Sequence, residues 1–232
     1  MARAEEAIVL VGGLGTRLRD VVPDLPKPLA PVAGRPFLAY LLDQLAAGGL
    51  RRIILATGYM AEKIEQAVGD RWGDAEIAYS REPEPLGTGG AIRLAVAMVQ
   101  GEGVHLANGD TFLRFVPADL ERQVREQGAT LGVALAKVPD VGRYGAVGTR
   151  DGRVVSFQEK GGHGPGLINA GSYFLTASAL DGLPSATPYS FESEVLVPAS
   201  LAGNLAAFDQ THDFIDIGVP EDFARAQRLF AT

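Results

Sequence analysis

The run Ala7-Ile8-Val9-Leu10-Val11 passes straight into Gly12-Gly13-Leu14-Gly15-Thr16-Arg17-Leu18. Side chains this small let backbone N–H groups close around phosphate oxygens, and Arg17 adds a planar fork of donors. The loop lacks the Gly-Lys-Ser/Thr ending of a Walker loop, and Leu18 stands where a dinucleotide fingerprint needs its third glycine. Alone, it also reads as a tight turn. Further on, Pro26-Lys27-Pro28 holds a lysine between two prolines, whose fixed backbone presents the ammonium from a stiff support; a solvated loop lysine is the alternative. Asp110 closes an apolar run after Asn108-Gly109, and Asp216 sits inside Phe214-Ile215-Asp216-Ile217-Gly218. A carboxylate is costly to bury at either place without a counterion. Each alone reads as a turn or cap. As a pair in an α/β sheet they suit Mg²⁺, which takes oxygen donors and keeps waters beside substrate phosphates.

Composition narrows the chemistry further. The chain has 232 residues, 47% of them hydrophobic, enough for a substantial core. No Pro/Ser-rich linker, charge block or fixed-period repeat marks a seam, so a single domain over residues 1–232 is expected. The absence of cysteine removes disulfides, thiolate metal sites and cysteine nucleophiles. A net charge of -7 argues against nucleic-acid binding, although a few convergent basic groups can still hold a small polyanion. The first apolar run is too short to span a membrane and follows Glu5 and Glu6, so neither signal peptide nor anchor is expected, and a cytoplasmic enzyme is implied.

These residues need a frame. Strand patterns at 7–11, 53–56 and 77–79 and a strand ending at Ala107 alternate with helical periods at 37–47, 61–68 and about 90–99. Strand then helix, repeated, predicts a Rossmann-like α/β fold: a mixed, mostly parallel sheet with helices on both faces. The second half is strand-rich at 131–138, 154–157 and 168–175, which predicts a β-rich insertion, followed by helices near 192–201 and 221–230. Ligands in such sheets bind beyond the carboxyl ends of the strands, in the loops after Val11, Tyr79 and Ala107.

The glycine loop, with Leu25-Pro26-Lys27-Pro28-Leu29 and Gly34-Arg35-Pro36-Phe37, resembles the signature of the sugar-phosphate nucleotidyltransferases. The resemblance covers nearly the whole chain. Glu82-Pro83-Glu84-Pro85-Leu86-Gly87-Thr88 looks like the family's base-recognition loop, and Asn108-Gly109-Asp110 like its metal motif. Phe157-Gln158-Glu159-Lys160, Asn169-Ala170-Gly171 and the run from Phe214 to Asp222 match later blocks. The resemblance implies nucleotide contacts at Leu10, Gly12, Gly13, Gly15, Thr16, Glu82, Gly87, Thr88 and Asn108, and Mg²⁺ on Asp110 and Asp216. It implies Arg17 and Lys27 as the catalytic positive charge, and sugar-phosphate contacts at Tyr144, Gly145, Glu159, Lys160, Asn169 and Gly171. Glu192 also falls in a block that resembles an acceptor-side segment, and a helix N-terminal carboxylate stabilised by the dipole explains it nearly as well.

The implied partners are an NTP and a sugar 1-phosphate, with no nucleic acid and no membrane. Family members often form dimers or tetramers, so a homo-oligomer stays open. Glu82 stands where thymidylyl relatives carry glutamine. A carboxylate only accepts hydrogen bonds, which suits the adjacent N1–H and N2–H₂ of guanine and favours GTP. Similarity of the 84–91 and 214–223 runs favours a heptose 1-phosphate, with mannose 1-phosphate next. Uridylyl or thymidylyl transfer remains an alternative, as does a non-catalytic nucleotide-sugar-binding subunit; a dehydrogenase is disfavoured by the incomplete fingerprint. His105 is expected to be a satisfied core residue, His163 to lie in a glycine-rich loop and His212 in a loop before Asp216. The glycines from Gly161 to Gly166 suggest an acceptor loop that orders on substrate binding.

Overall fold

The computed structural model describes residues 3–13, 22–158 and 160–231. Arg17, Gly15, Thr16 and Glu159 lie outside them. In chain order the strands are β1 (Glu6–Leu10), β2 (Pro31–Val32), β3 (Arg35–Pro36), β4 (Arg52–Thr57), β5 (Arg71–Trp72), β6 (Ala75–Arg81), β7 (Gly103–Asn108), β8 (Thr111–Arg114), β9 (Leu131–Val138), β10 (Val147–Arg150), β11 (Arg153–Phe157), β12 (Gly166–Thr176), β13 (Leu205–Phe208) and β14 (His212–Asp216). The α-helices are α1 (Phe37–Ala47), α2 (Ala61–Val68), α3 (Gly87–Val96), α4 (Pro117–Glu126), α5 (Ala177–Asp181), α6 (Val197–Leu201) and α7 (Pro220–Leu229).

One sheet of ten strands runs in the order β10-β11-β13-β9-β12-β7-β1-β4-β6-β5. β1 pairs in parallel with β4 and β7, and β4 in parallel with β6. β12 then runs antiparallel between β7 and β9, while β13 lies parallel to β9. With β11 antiparallel to β13 and to β10, and β5 antiparallel to β6, only β5, β11 and β12 oppose the common direction. The β-rich region from β9 to β12 thus extends the same sheet.

Strand alternation puts helices on both faces. Ile8 of β1 and Ile54 of β4 pack with Ala91, Ile92 and Ala95 of α3. Their neighbours Ala7, Val9, Ile53 and Leu55 point the other way, against Leu38, Leu41, Leu42 and Leu45 of α1 and Ile64 of α2. β1 is therefore buried from both sides, which is why it reads as an unbroken apolar run. Ile8 and Val9 are fully buried, each contributing roughly 1.5–3 kcal/mol of burial. A smaller core of Phe37, Phe112, Ile215, Ile217 and Ala226 ties the β8–β14 ribbon and α7 to the start of α1.

Two helices differ from the sequence expectation. α3 begins at Gly87 rather than near Gly90, because its first turn is supported from outside: Gly89 N–H donates to Tyr189 O at 3.0 Å, and Phe191 N–H donates to Thr88 Oγ1 at 3.0 Å. The expected helix over 192–201 is a π-helical turn, Glu192–Leu196, followed by the short α6. Pro198 lacks the N–H that an unbroken ladder requires, so the turn before it widens. No helix among the described residues is long and apolar enough to cross a membrane.

Candidate active site

The carboxyl ends of β1, β4 and β6 open on a cavity of about 470 Å³. Its lining includes Leu10, Gly12, Gly13, Glu82, Gly87 and Thr88, together with Ala56, Gly58 and Tyr59. Six residues expected around the nucleotide therefore share one mostly apolar pocket with few polar groups, the usual make-up of a small-molecule site. Asn108 is placed otherwise: it ends β7 outside this lining, and its amide lies against Gly171, where a Cβ would come within 2.5 Å of Asn108 Nδ2.

Glu82 follows β6 and is fixed twice. Its backbone N–H donates to Thr57 O at 2.9 Å, and its Oε2 accepts Leu86 N–H at 3.0 Å. The second oxygen rests over the glycine loop, 2.8 Å from where a Cβ on Gly12 would stand; Gly58 N would be 3.0 Å from the same Cβ. Glycine at position 12 thus leaves the space into which the carboxylate reaches. Gly109 N–H donates to Leu10 O at 2.9 Å, which sets Asp110 directly beside the end of β1.

Asp110 and Asp216 meet through Lys27. The Lys27 Nζ lies 2.6 Å from Asp110 Oδ2 and 3.3 Å from Asp216 Oδ1. β14 pairs with β8 so that Asp216 stands opposite Thr111, the residue after Asp110, and the Gly218 N–H donates to Asp216 Oδ1 at 2.7 Å. The Lys27 ammonium, expected at the nucleotide phosphates, is enclosed between the two carboxylates, which supply the nearest negative charge. Two carboxylates aimed at one point form an all-oxygen donor set fit for a hard divalent cation completed by phosphate and water. Among the described residues no group of three His, Asp or Glu gathers for a metal, so any such ion takes the rest of its shell from elsewhere.

The residues expected around the acceptor form two groups. β12 carries a register shift between Asn169 and Ser172. There Gly171 N–H donates to Asn169 Oδ1 at 3.0 Å, and Asn169 Nδ2 donates to Glu192 Oε2 at 3.1 Å. Glu192 therefore belongs with Asn169. The second group is centred on Asp222, a buried carboxylate of α7 that sequence reasoning passed over. It accepts from Arg143 and from the Tyr144 hydroxyl at 3.4 Å, and it pairs ionically with Arg225 at 3.4 Å. Burial, then the Asp222 charge, pushes the Tyr144 phenol up to about 12. Gly145 is buried beside it, and Lys160 is exposed. The glycine loop after Lys160 is tied to the Tyr144 loop by Gly161 N–H to Gly142 O at 3.0 Å and Val141 N–H to Gly164 O at 3.1 Å.

The histidines stay outside this arrangement, with two corrections. His105 is buried, yet neither ring nitrogen has a hydrogen-bond partner, and Nε2 stands 3.8 Å from Glu121 Oε2. Arg125 and the Ala4 N–H already fill the Glu121 carboxylate. His212 begins β14 rather than preceding it, paired with Arg114. His163 is exposed beside Asp140.

A strand-end pocket beside two paired aspartates fits a nucleotidyl transferase, and the chain belongs to that family: the Nucleotidyl transferase pattern matches residues 6–232. The chain is 44% identical over 224 residues to the D-glycero-alpha-D-manno-heptose 1-phosphate guanylyltransferase of Aneurinibacillus thermoaerophilus, covering 96% of this chain and 97% of that one. The Campylobacter jejuni enzyme of the same name is 39% identical, over 94% and 96%. The crystal structure of HddC from Yersinia pseudotuberculosis complexed with GMP-PN matches with a TM-score of 0.83 at 36% identity, covering 97% of this chain and 99% of that one.

Proposed function

We propose that this chain transfers GMP from GTP to D-glycero-D-manno-heptose 1-phosphate, releasing pyrophosphate and forming the GDP-sugar. The observation that carries the base assignment is the Glu82 carboxylate over Gly12, an acceptor-only group at the edge of the strand-end pocket. The sugar assignment rests on similarity to the heptose enzymes.

In this reading an oxygen of the sugar phosphate, already ionised at neutral pH, attacks the α-phosphorus in line. A new P–O bond forms, the α–β bridging bond breaks, and pyrophosphate departs with its electron pair. No side chain has to remove a proton. The protein's work is placement and charge. Gly12 and Gly13 offer backbone N–H groups to the nucleotide, and Glu82 orients the base. Tyr144, Gly145, Glu159, Asn169 and Gly171 face the sugar, with Glu192 beside Asn169, while Lys160 holds its phosphate, supported by Arg143. Arg17 and Lys27 add positive charge toward the phosphates. Asp110 and Asp216 would hold Mg²⁺, which supplies charge neutralisation and orientation of the phosphates. The reading places the enzyme in the cytoplasm, where GTP is supplied, with no nucleic acid or membrane as partner.

The test is pyrophosphate release from the purified protein across a panel of NTPs and sugar 1-phosphates. GTP with the heptose 1-phosphate should give the highest kcat/KM. Preference for UTP or dTTP would remove the guanine assignment, and silence with every pair would remove the enzyme reading.

A further inference from the structure

Lys27 occupies the point on which the two aspartates converge. Its side chain is 11% exposed, those of Asp110 and Asp216 are 37% and 21% exposed, and Gly218 walls the ammonium so closely that a Cβ there would lie 3.1 Å from Nζ. The two carboxylate oxygens share one nitrogen, so they are no farther apart than the sum of its two contacts, 2.6 and 3.3 Å. A dication bridging Asp110 and Asp216 would need that same space, and it would face a positive charge at contact distance if the lysine stayed.

We propose that Lys27 and the divalent cation exclude one another: in the nucleotide-free protein the lysine is the resident cation of the site, and the metal enters only when a triphosphate gives the ammonium another anionic partner. The inference rests on the reading of Asp110 and Asp216 as metal ligands. Two carboxylates against one ammonium leave the site with one net negative charge, enough to stay ordered without metal and too little to draw a dication past the lysine. The triphosphate changes this balance by bringing its own charge and its own ligands for the ion. The lysine then moves from the aspartates to the phosphates, which joins its observed place to its proposed catalytic one. The site would thus remain closed to free divalent ions and open to the metal–nucleotide complex.

The experiment is Mn²⁺ binding to the nucleotide-free protein, read by the electron spin resonance of the free ion. The unsubstituted protein should bind Mn²⁺ at least about tenfold more weakly than Lys27→Met, which removes one positive charge from contact with the ligands. Adding Asp110→Asn to Lys27→Met should abolish the gain. Equal affinity of the unsubstituted protein and Lys27→Met overturns the exclusion while leaving the metal ligands in place. A gain that survives Asp110→Asn overturns the assignment of those ligands themselves. If Lys27→Met fails to fold, nitrogen NMR of the lysine ammonium decides the matter in the unsubstituted protein. The Lys27 signal should be unmoved by Mg²⁺ alone and displaced by Mg²⁺ with GTP; displacement by Mg²⁺ alone overturns the proposal.

Discussion

Replacing Glu82 with glutamine keeps the shape of the side chain and changes what it can accept. Oε2 takes the Leu86 N–H at 3.0 Å, and Oε1 reaches over Gly12 at the pocket. The guanine edge presents N1–H and N2–H₂, both donors; a carboxylate meets both, whereas an amide meets one and turns its own N–H₂ against the other. A hydrogen bond to a charged acceptor contributes roughly 1.5–3 kcal/mol, and about 1.4 kcal/mol is a factor of ten in rate. kcat/KM for GTP should therefore fall about 10- to 150-fold. The half-buried position of Glu82 favours the lower part of that range. An amide matches a pyrimidine N3–H beside a carbonyl, so UTP and dTTP should gain relative to GTP. The assay is initial-rate pyrophosphate release with each NTP at fixed sugar phosphate, with thermal unfolding to show that the Leu86 contact is kept. A kcat/KM for GTP within about twofold of the unsubstituted value, on a folded variant, would refute the base-reading role.

Asp222→Asn should raise KM for the sugar phosphate and leave KM for GTP unchanged, because Asp222 holds Arg143 and Tyr144 and touches no pocket residue of the nucleotide. The Tyr144 phenol should then titrate below its value of about 12, as followed by ultraviolet absorbance. Stability should fall by about 1–2 kcal/mol, less than for a fully buried pair because Arg143 and Arg225 are half exposed. Burial pushes the His105 imidazole below its ordinary 6.5, against the raising effect of Glu121. A lowered folded value means that the unfolded chain binds the extra proton first. Stability is then full above pH 6.5 and falls as the pH drops below it, by up to about 1.4 kcal/mol per unit. Urea unfolding of His105→Leu should lose that slope; an unchanged slope would assign it elsewhere.

Much of this frame is legible in the sequence where one physical signal dominates. The bounds of α1, α2 and β9 match the predicted 37–47, 61–68 and 131–138, since each carries an uninterrupted apolar stripe or run. α4 escaped notice because its buried residues, Pro117, Leu120, Glu121 and Val124, are set among charged ones. β13 is a run of four residues whose partners β9 and β11 are remote in sequence. The start of α3 was hidden by glycines whose support comes from Tyr189 and Phe191. The same division holds in the site. The glycine loop, Glu82 and the aspartates announce themselves by local motif. The contacts that decide what the side chains do span 83 residues from Lys27 to Asp110, 189 from Lys27 to Asp216 and 79 from Arg143 to Asp222. No local pattern encodes such distances, so the enclosure of Lys27 and the place of Asp222 emerge only when the chain is folded.

Turnover of Asp110→Asn with GTP and heptose 1-phosphate in excess magnesium, measured beside its calorimetric affinity for GTP, bears most directly on the paired-aspartate centre. With a metal carboxylate lost and the pocket intact, kcat should fall about a thousandfold or more while GTP still binds. A variant that turns over within about tenfold of the unsubstituted protein would contradict the account.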